Sequence, residues 1–280
     1  MARDTSFSYS FLVLPAAQRD AIGLVWDFCR AVDDAVDEAS DQQTAAIEIV
    51  KWRDEVGRVF GAAEPVTPQG RLLKPVAAAF SLSRQPFDDL VDGVEMDLHR
   101  TRYQTFDELA GYCRRVASTV GLMCVEIFGA RDPRSRDYAF NLGLALQLTN
   151  IIRDVAVDLK NGRVYLPQED LAKFGVTEAD LRAGTVTPEI RRLLAYQVQR
   201  ARRFYAAAAL SKPAAAARQL VAAEIMSGIY FETLRRIERR QFDVFTEVIR
   251  APKAVRARIA LSIWARSQCS ALASRLFRRT

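Results

Sequence analysis

Apolar residues recur at intervals of three and four along most of this chain, while sustained two-residue alternation and Gly-rich hairpin signals are scarce. That periodicity predicts an all-α protein. A helix should follow Pro15 over residues 16–38, with a second over about 42–61. Pro65, Pro68 and Gly70 mark residues 61–75 as a loop, and helices resume on both sides of Pro86. The run from 103 to 128 reads as helix and is closed by turn residues at 129–133. A long uninterrupted helix is predicted from about 135 to 160, with Asn161 and Gly162 as left-handed stops. Residues 163–167 should be irregular because Pro167 disfavours helix at Leu166. Helices fill the rest, with breaks near Gly175, 184–188, Pro213 and Pro252; the Ala-rich stretch 206–217 reads as helix, break, helix.

With 280 residues, 50% of them apolar, the chain can bury one large core, and no composition break or repeat divides it. A single domain, 1–280, is expected. Cys29, Cys113, Cys124 and Cys269 form no C-x-x-C pair, and His99 is the one histidine, so the thiols read as reduced rather than zinc-bound. No secretion signal and no apolar stretch long enough for a spanning helix is present, which predicts a cytoplasmic protein.

The net charge of +6 is unevenly placed. Residues 250–280 carry eight basic and no acidic side chains, leaving 32 basic against 34 acidic residues in the body. This basic helix or tail also has Val255, Ile259, Ile263, Trp264, Leu272 and Leu276 at helical spacing. It either packs on the body or gives the protein peripheral contact with the inner face of the cytoplasmic membrane. Basic charge confined to one terminus, with no recognition motif, argues against nucleic acid as a partner.

Two acidic clusters carry the candidate chemistry. Asp33, Asp34, Asp37 and Glu38 end the first helix, where the macrodipole disfavours anions and Asp is a poor helix former. Asp33 and Asp37 are i, i+4 neighbours whose like charges repel unless a cation lies between them. Asn150, Asp154 and Asp158 repeat that spacing among apolar neighbours, and Gln147 extends the stripe by a turn. Hard oxygen donors at this density suit Mg²⁺, or Mn²⁺ in its place, bridging carboxylates to phosphates. Arg30, Arg153 and Arg163 stand beside the clusters, and guanidinium matches phosphate oxygens in bidentate fashion.

At these residues the sequence resembles the squalene and phytoene synthase family. The matching strings are S-F at Ser6, F-C-R-A-V-D-D-A-V-D-E from Phe28, E-M-D-L from Glu95 and Y-C-R-R-V-A-S-T-V-G from Tyr112. Further along come Q-L-T-N-I-I-R-D-V-A-V-D from Gln147 and G-R-V-Y-L-P from Gly162. The resemblance runs over nearly all of 5–250, and within the family it is most like the bacterial presqualene diphosphate synthases of hopanoid biosynthesis. It implies an all-α isoprenoid synthase fold with helices around a central cavity. It also implies Asp33, Asp37, Asn150, Asp154 and Asp158 as metal ligands, and Tyr112 as the catalytic tyrosine. Arg30, Gln147 and Arg153 would contact diphosphate or its metals, while Ser6, Trp26 and Tyr230 match positions lining a substrate site. Arg163 and Tyr165 are added as substrate contacts.

The expected reaction is head-to-head joining of two farnesyl diphosphates to presqualene diphosphate, without NADPH and feeding downstream isoprenoid-pathway enzymes. Phytoene formation from two C20 diphosphates, or a squalene or dehydrosqualene synthase, are the alternatives, and a noncatalytic lipid-binding assembly partner is the alternative of another class. Two departures stand out: Val157 replaces a usual Glu before the last Asp, and Arg235 and Arg236 replace acids.

Overall fold

The computed structural model describes residues 9–277, with side chains through residue 269. It contains α1 (Ala16–Asp37), α2 (Gln42–Phe60), α3 (Pro68–Phe80) and α4 (Gln85–His99). Next come α5 (Phe106–Cys113), a π-helical turn (Arg114–Ser118), α6 (Thr119–Phe128), α7 (Arg134–Arg153) and α8 (Val155–Lys160). The chain continues through α9 (Gln168–Phe174), α10 (Glu178–Arg182), α11 (Pro188–Ser211), α12 (Val221–Arg239) and α13 (Lys253–Phe277). No strand occurs among the described residues; one isolated parallel bridge joins Arg102 to Val164. The all-α class is thus as expected.

Local side-chain chemistry sets many of the starts. Asp41, Thr67, Thr105, Thr177 and Thr187 each accept a hydrogen bond from a first-turn backbone N–H, relieving donors that have no partner within the helix. Gly129 and Gly175, at φ 71° and 68°, end α6 and α9 in the left-handed conformation that glycine adopts without strain.

Three expected boundaries are corrected. The loop ends at Thr67 rather than at residue 75, because Thr67 caps α3 and Pro68 fills its first turn, where no N–H is required. Pro75 lies inside that helix, which is held to the body by buried Leu73 and Ala77. The helix of 135–160 is two helices, interrupted at Asp154 (φ −100°, ψ 11°). Gly162 takes the left-handed conformation alone (φ 75°), while Asn161 is at φ −84°.

Helix α7 runs through the core, with Leu142, Leu144, Ala145, Leu148, Ile151 and Ile152 buried. Its close approach to the π-helical turn depends on Gly143, where a Cβ would lie 2.6 Å from the Ser118 Cα. The Ser118 hydroxyl donates to the Phe140 carbonyl at 2.8 Å in the same crossing. At the C-terminal end, Ile259 and Ile263 of α13 pack over Gly228 of α12, and the buried Arg256 lies 5.6 Å from the Tyr9 ring. The side chains of Arg275, Leu272, Leu276, Arg278 and Arg279 lie outside those described.

Candidate active site

Five helical segments line a cavity of about 540 Å³, and four of them, α1, α4, α5 and α7, bring polar side chains to it. Helix α1 offers Asp33 and Asp37 from its last turns, with Trp26 further in. Helix α4 offers Asp97 near its C-terminus, then Val94 and Leu90. The segment from α5 through α6 starts with Tyr112 and continues through Val116, Val120, Cys124, Val125 and Phe128. Helix α7 gives Arg153, Asn150 and Gln147, followed by Leu146, Leu142 and Tyr138, and α12 adds Tyr230, Met226 and Ala222. The cavity therefore has one polar, acidic end and an apolar remainder.

Of the residues singled out in the sequence, Trp26, Arg30, Asp33, Asp37, Tyr112, Gln147, Asn150, Arg153, Arg163, Tyr165 and Tyr230 all line this cavity. Asp154 and Asp158 do not line it. The helix break at Asp154 turns its carboxylate into the fork of Arg153, whose Nε donates at 2.8 Å. Asp158 lies behind Arg163 and Tyr165 in a small adjoining pocket. Ser6 lies outside the described residues. Val157 is 40% exposed and is not among the cavity lining, and Arg235 and Arg236 pair with Glu232 on α12.

Asp97 is the residue that the sequence reading passed over. It accepts from the Tyr112 hydroxyl at 2.9 Å and from the Tyr165 hydroxyl at 3.0 Å. Its one sequence signal is the solitary Asp in E-M-D-L, without the i, i+4 repeat that marks the other acids. Burial, followed by the Asp97 charge, pushes the Tyr112 hydroxyl well above its ordinary value, so the phenol stays neutral. The rings of Tyr112 and Tyr165 stack at 5.3 Å, and Tyr103 adds a third ring 5.5 Å from Tyr112.

The acids are short of positive charge. Burial, with Asp37, Asp97 and Asp34 adding repulsion and Arg30 opposing, pushes Asp33 up to about 7, although its side chain opens onto the cavity. Asp158 is likewise pushed up to about 7 by burial and Asp154, against Arg163 and Arg153. Asn150 Oδ1 is buried and accepts no hydrogen bond. This excess of acceptors fits a hard divalent cation. Among the described residues no three His, Cys, Asp or Glu side chains form a ready metal cage.

A family model described as squalene/phytoene synthase matches residues 1–262. The chain belongs to this family. Squalene/phytoene synthases are prenyl transferases acting on prenyl diphosphates with divalent metal, and the fold agrees with that membership. The phytoene synthase of Arthrospira platensis is 38% identical over 84% of this chain and 80% of its own length. Among solved structures, a dehydrosqualene synthase superposes with a TM-score of 0.83 at 26% identity, covering 95% of this chain and 93% of that one. A squalene synthase from Alicyclobacillus acidocaldarius gives 0.74 at 34% identity, covering 84% and 89%. No helix among the described residues is long and apolar enough to cross a membrane.

The expectation of a presqualene diphosphate synthase working on farnesyl diphosphate is corrected by these relatives. Curated relatives matched at 35–38% identity are named phytoene synthase. The physical reason is that the stretches behind the narrower assignment, Arg102–Tyr103 and residues 165–181, bring only Tyr165 to the cavity.

Proposed function

We propose that this squalene/phytoene synthase condenses two C20 allylic diphosphates head to head, as a phytoene synthase. The observation that carries the reading is the division of one cavity into a carboxylate- and arginine-lined end and a long apolar remainder. That division suits a diphosphate head and a prenyl tail, and the names of the relatives support the C20 length.

In this mechanism Arg30, Arg153, Arg163 and Gln147 hold diphosphate oxygens at the polar end. Arg153 exchanges its present partner Asp154 for phosphate, which releases the Asp154 carboxylate. Asp33 and Asp37 from one wall, and Asn150 with the released Asp154 from the other, would hold Mg²⁺ or Mn²⁺. When bound, such a metal stabilises the charge of a departing diphosphate. Departure of diphosphate from the first substrate leaves an allylic cation, which the alkene of the second substrate attacks.

Tyr112 faces the place where that cation forms. Its neutral ring, backed by Tyr103 and Tyr165, attracts the cation, as do Trp26 and Phe11 lining the cavity. Asp97 fixes the orientation of both Tyr112 and Tyr165. Since Tyr112 keeps its proton, the released diphosphate is the better acceptor for the proton that closes the cyclopropane. Over both half-reactions two diphosphates and two protons leave, so atoms balance without a reductant. The apolar walls keep water from the cation.

The test is incubation of the purified protein with Mg²⁺ and C15 or C20 diphosphate, separately, with and without NADPH, reading released diphosphate and lipid mass. A C40 hydrocarbon formed without NADPH is expected. Products made from the C15 substrate alone would overturn the reading.

A further inference from the structure

The apolar end of the cavity is bounded in part by Tyr138. Tyr138 begins the run of α7 side chains that line it, twelve positions before Asn150, which at helical rise is about 18 Å from the acidic end. Its side chain is 1% exposed, and its hydroxyl donates to Glu224 Oε1 at 2.6 Å. Lys212 in turn donates to Glu224 Oε2 at 2.6 Å. A phenol in an otherwise apolar wall is thereby anchored to an ion pair on the next layer of the protein.

That ion pair is partly open to solvent, with 31% of the Lys212 and 28% of the Glu224 side chain exposed. The Tyr138 ring therefore stands between the cavity and a partly exposed ion pair. Beside it on α7 and α12, Ala139, Ala222 and Ala223 are small, and the larger Leu142 and Met226 lie about a turn away along their helices. Phe128 closes the flank from the end of α6.

We propose that Tyr138, pinned by the Glu224–Lys212 pair, is the floor that sets the longest prenyl chain this enzyme accepts. The inference rests on the condensation reading above. The distal isoprene unit of the substrate abuts the ring, and a chain one unit longer clashes with it. A pocket wall discriminates at about 10–200-fold per methylene, so a floor acting on a whole isoprene unit gives a readily measured effect.

The experiment compares kcat/KM for C15, C20 and C25 prenyl diphosphates in the wild type, Tyr138→Ala, Tyr138→Leu and Tyr138→Phe. The readout is the ratio between the substrate one unit longer than the wild type's best and that best substrate. The ratio is expected to rise at least about tenfold in Tyr138→Ala and, should that variant fail to fold, in Tyr138→Leu. Tyr138→Phe keeps the ring and is expected to stay within about twofold of the wild type. An unchanged ratio in the folded smaller variant, or a Phe variant behaving like the Ala variant, overturns the proposal. Because the ratio is referred to whatever length the wild type prefers, a C15 preference would sink the C20 reading and leave this inference standing.

Discussion

Arg163 donates through Nη2 to Asp37 Oδ1 at 3.0 Å, across 126 positions of chain. This ion pair ties the loop after α8 to the end of α1, so the two acid-bearing walls are joined by a cation already present in the protein. In the proposed site the same guanidinium also faces diphosphate.

Replacing Arg163 with Ala should therefore weaken substrate use. A hydrogen bond to a charged group contributes about 1.5–3 kcal/mol, which corresponds to about 10–100-fold in kcat/KM. Arg163→Lys should recover part of this, since it restores charge without the planar fork. Steady-state kinetics on both variants checks it; wild-type kcat/KM in Arg163→Ala would remove the residue from the site.

The raised acids give a pH signature. Asp33 goes from its ordinary 3.8 to about 7, so between those values the native state holds a proton that the unfolded state has released. Its contribution to stability is full below about 4 and is lost as pH rises through about 7. Without metal, Asp33→Asn should thus be more thermostable than the wild type at pH 8, and the difference should shrink towards pH 5. Mg²⁺ should raise the melting temperature of the wild type at pH 8 and much less at pH 5, and should do little for Asp33→Asn. Equal Mg²⁺ shifts at both pH values in the wild type would contradict this account.

Tyr112→Phe keeps the ring and deletes the hydroxyl that binds Asp97. The expected result is a fall in kcat of about 10–100-fold with KM nearly unchanged, the pattern of an interaction made in the transition state. Tyr165→Phe, which removes the other donor to Asp97, should lose less, because its ring stands behind Tyr112. Single-turnover kinetics of both variants separates the two roles; equal losses would mean that the hydroxyls act only by holding Asp97.

Gly143→Ala tests the helix crossing that shapes the cavity. Alanine gains about 1 kcal/mol in helix propensity, but its Cβ would lie 2.6 Å from the Ser118 Cα, where backbone must move. Overpacking of this kind costs about 1–3 kcal/mol, so a net loss in denaturant midpoint is expected. A midpoint at or above that of the wild type would show that α7 and the π-helical turn can separate freely.

The sequence alone determined the all-α class, most helix starts and the chemistry of the acidic faces. Periodicity of three and four decides which face of a helix is apolar, and the i, i+4 step puts Asp33 with Asp37 on one side whatever the helix packs against. It also made the family recognisable, since those local spacings are what the matching strings record. Tertiary structure alone decided what those faces meet. Asp97 belongs to no repeat, and only the packing of α4 beside α5 and the loop before α9 brings Tyr112 and Tyr165 to its two oxygens. The break at Asp154 falls at no helix-breaking residue and sets its carboxylate in the Arg153 fork, and Pro68 reads as loop until Thr67 is seen to cap the helix behind it. The surroundings of the cavity are likewise a product of packing: Gly143 lets α7 approach Ser118, and Tyr138 of α7 is hydrogen-bonded to Glu224 of α12. Such distances between elements are not encoded in the spacing of residues within one, which is why the acidic end of the cavity was legible in the sequence and the extent of its apolar end was not.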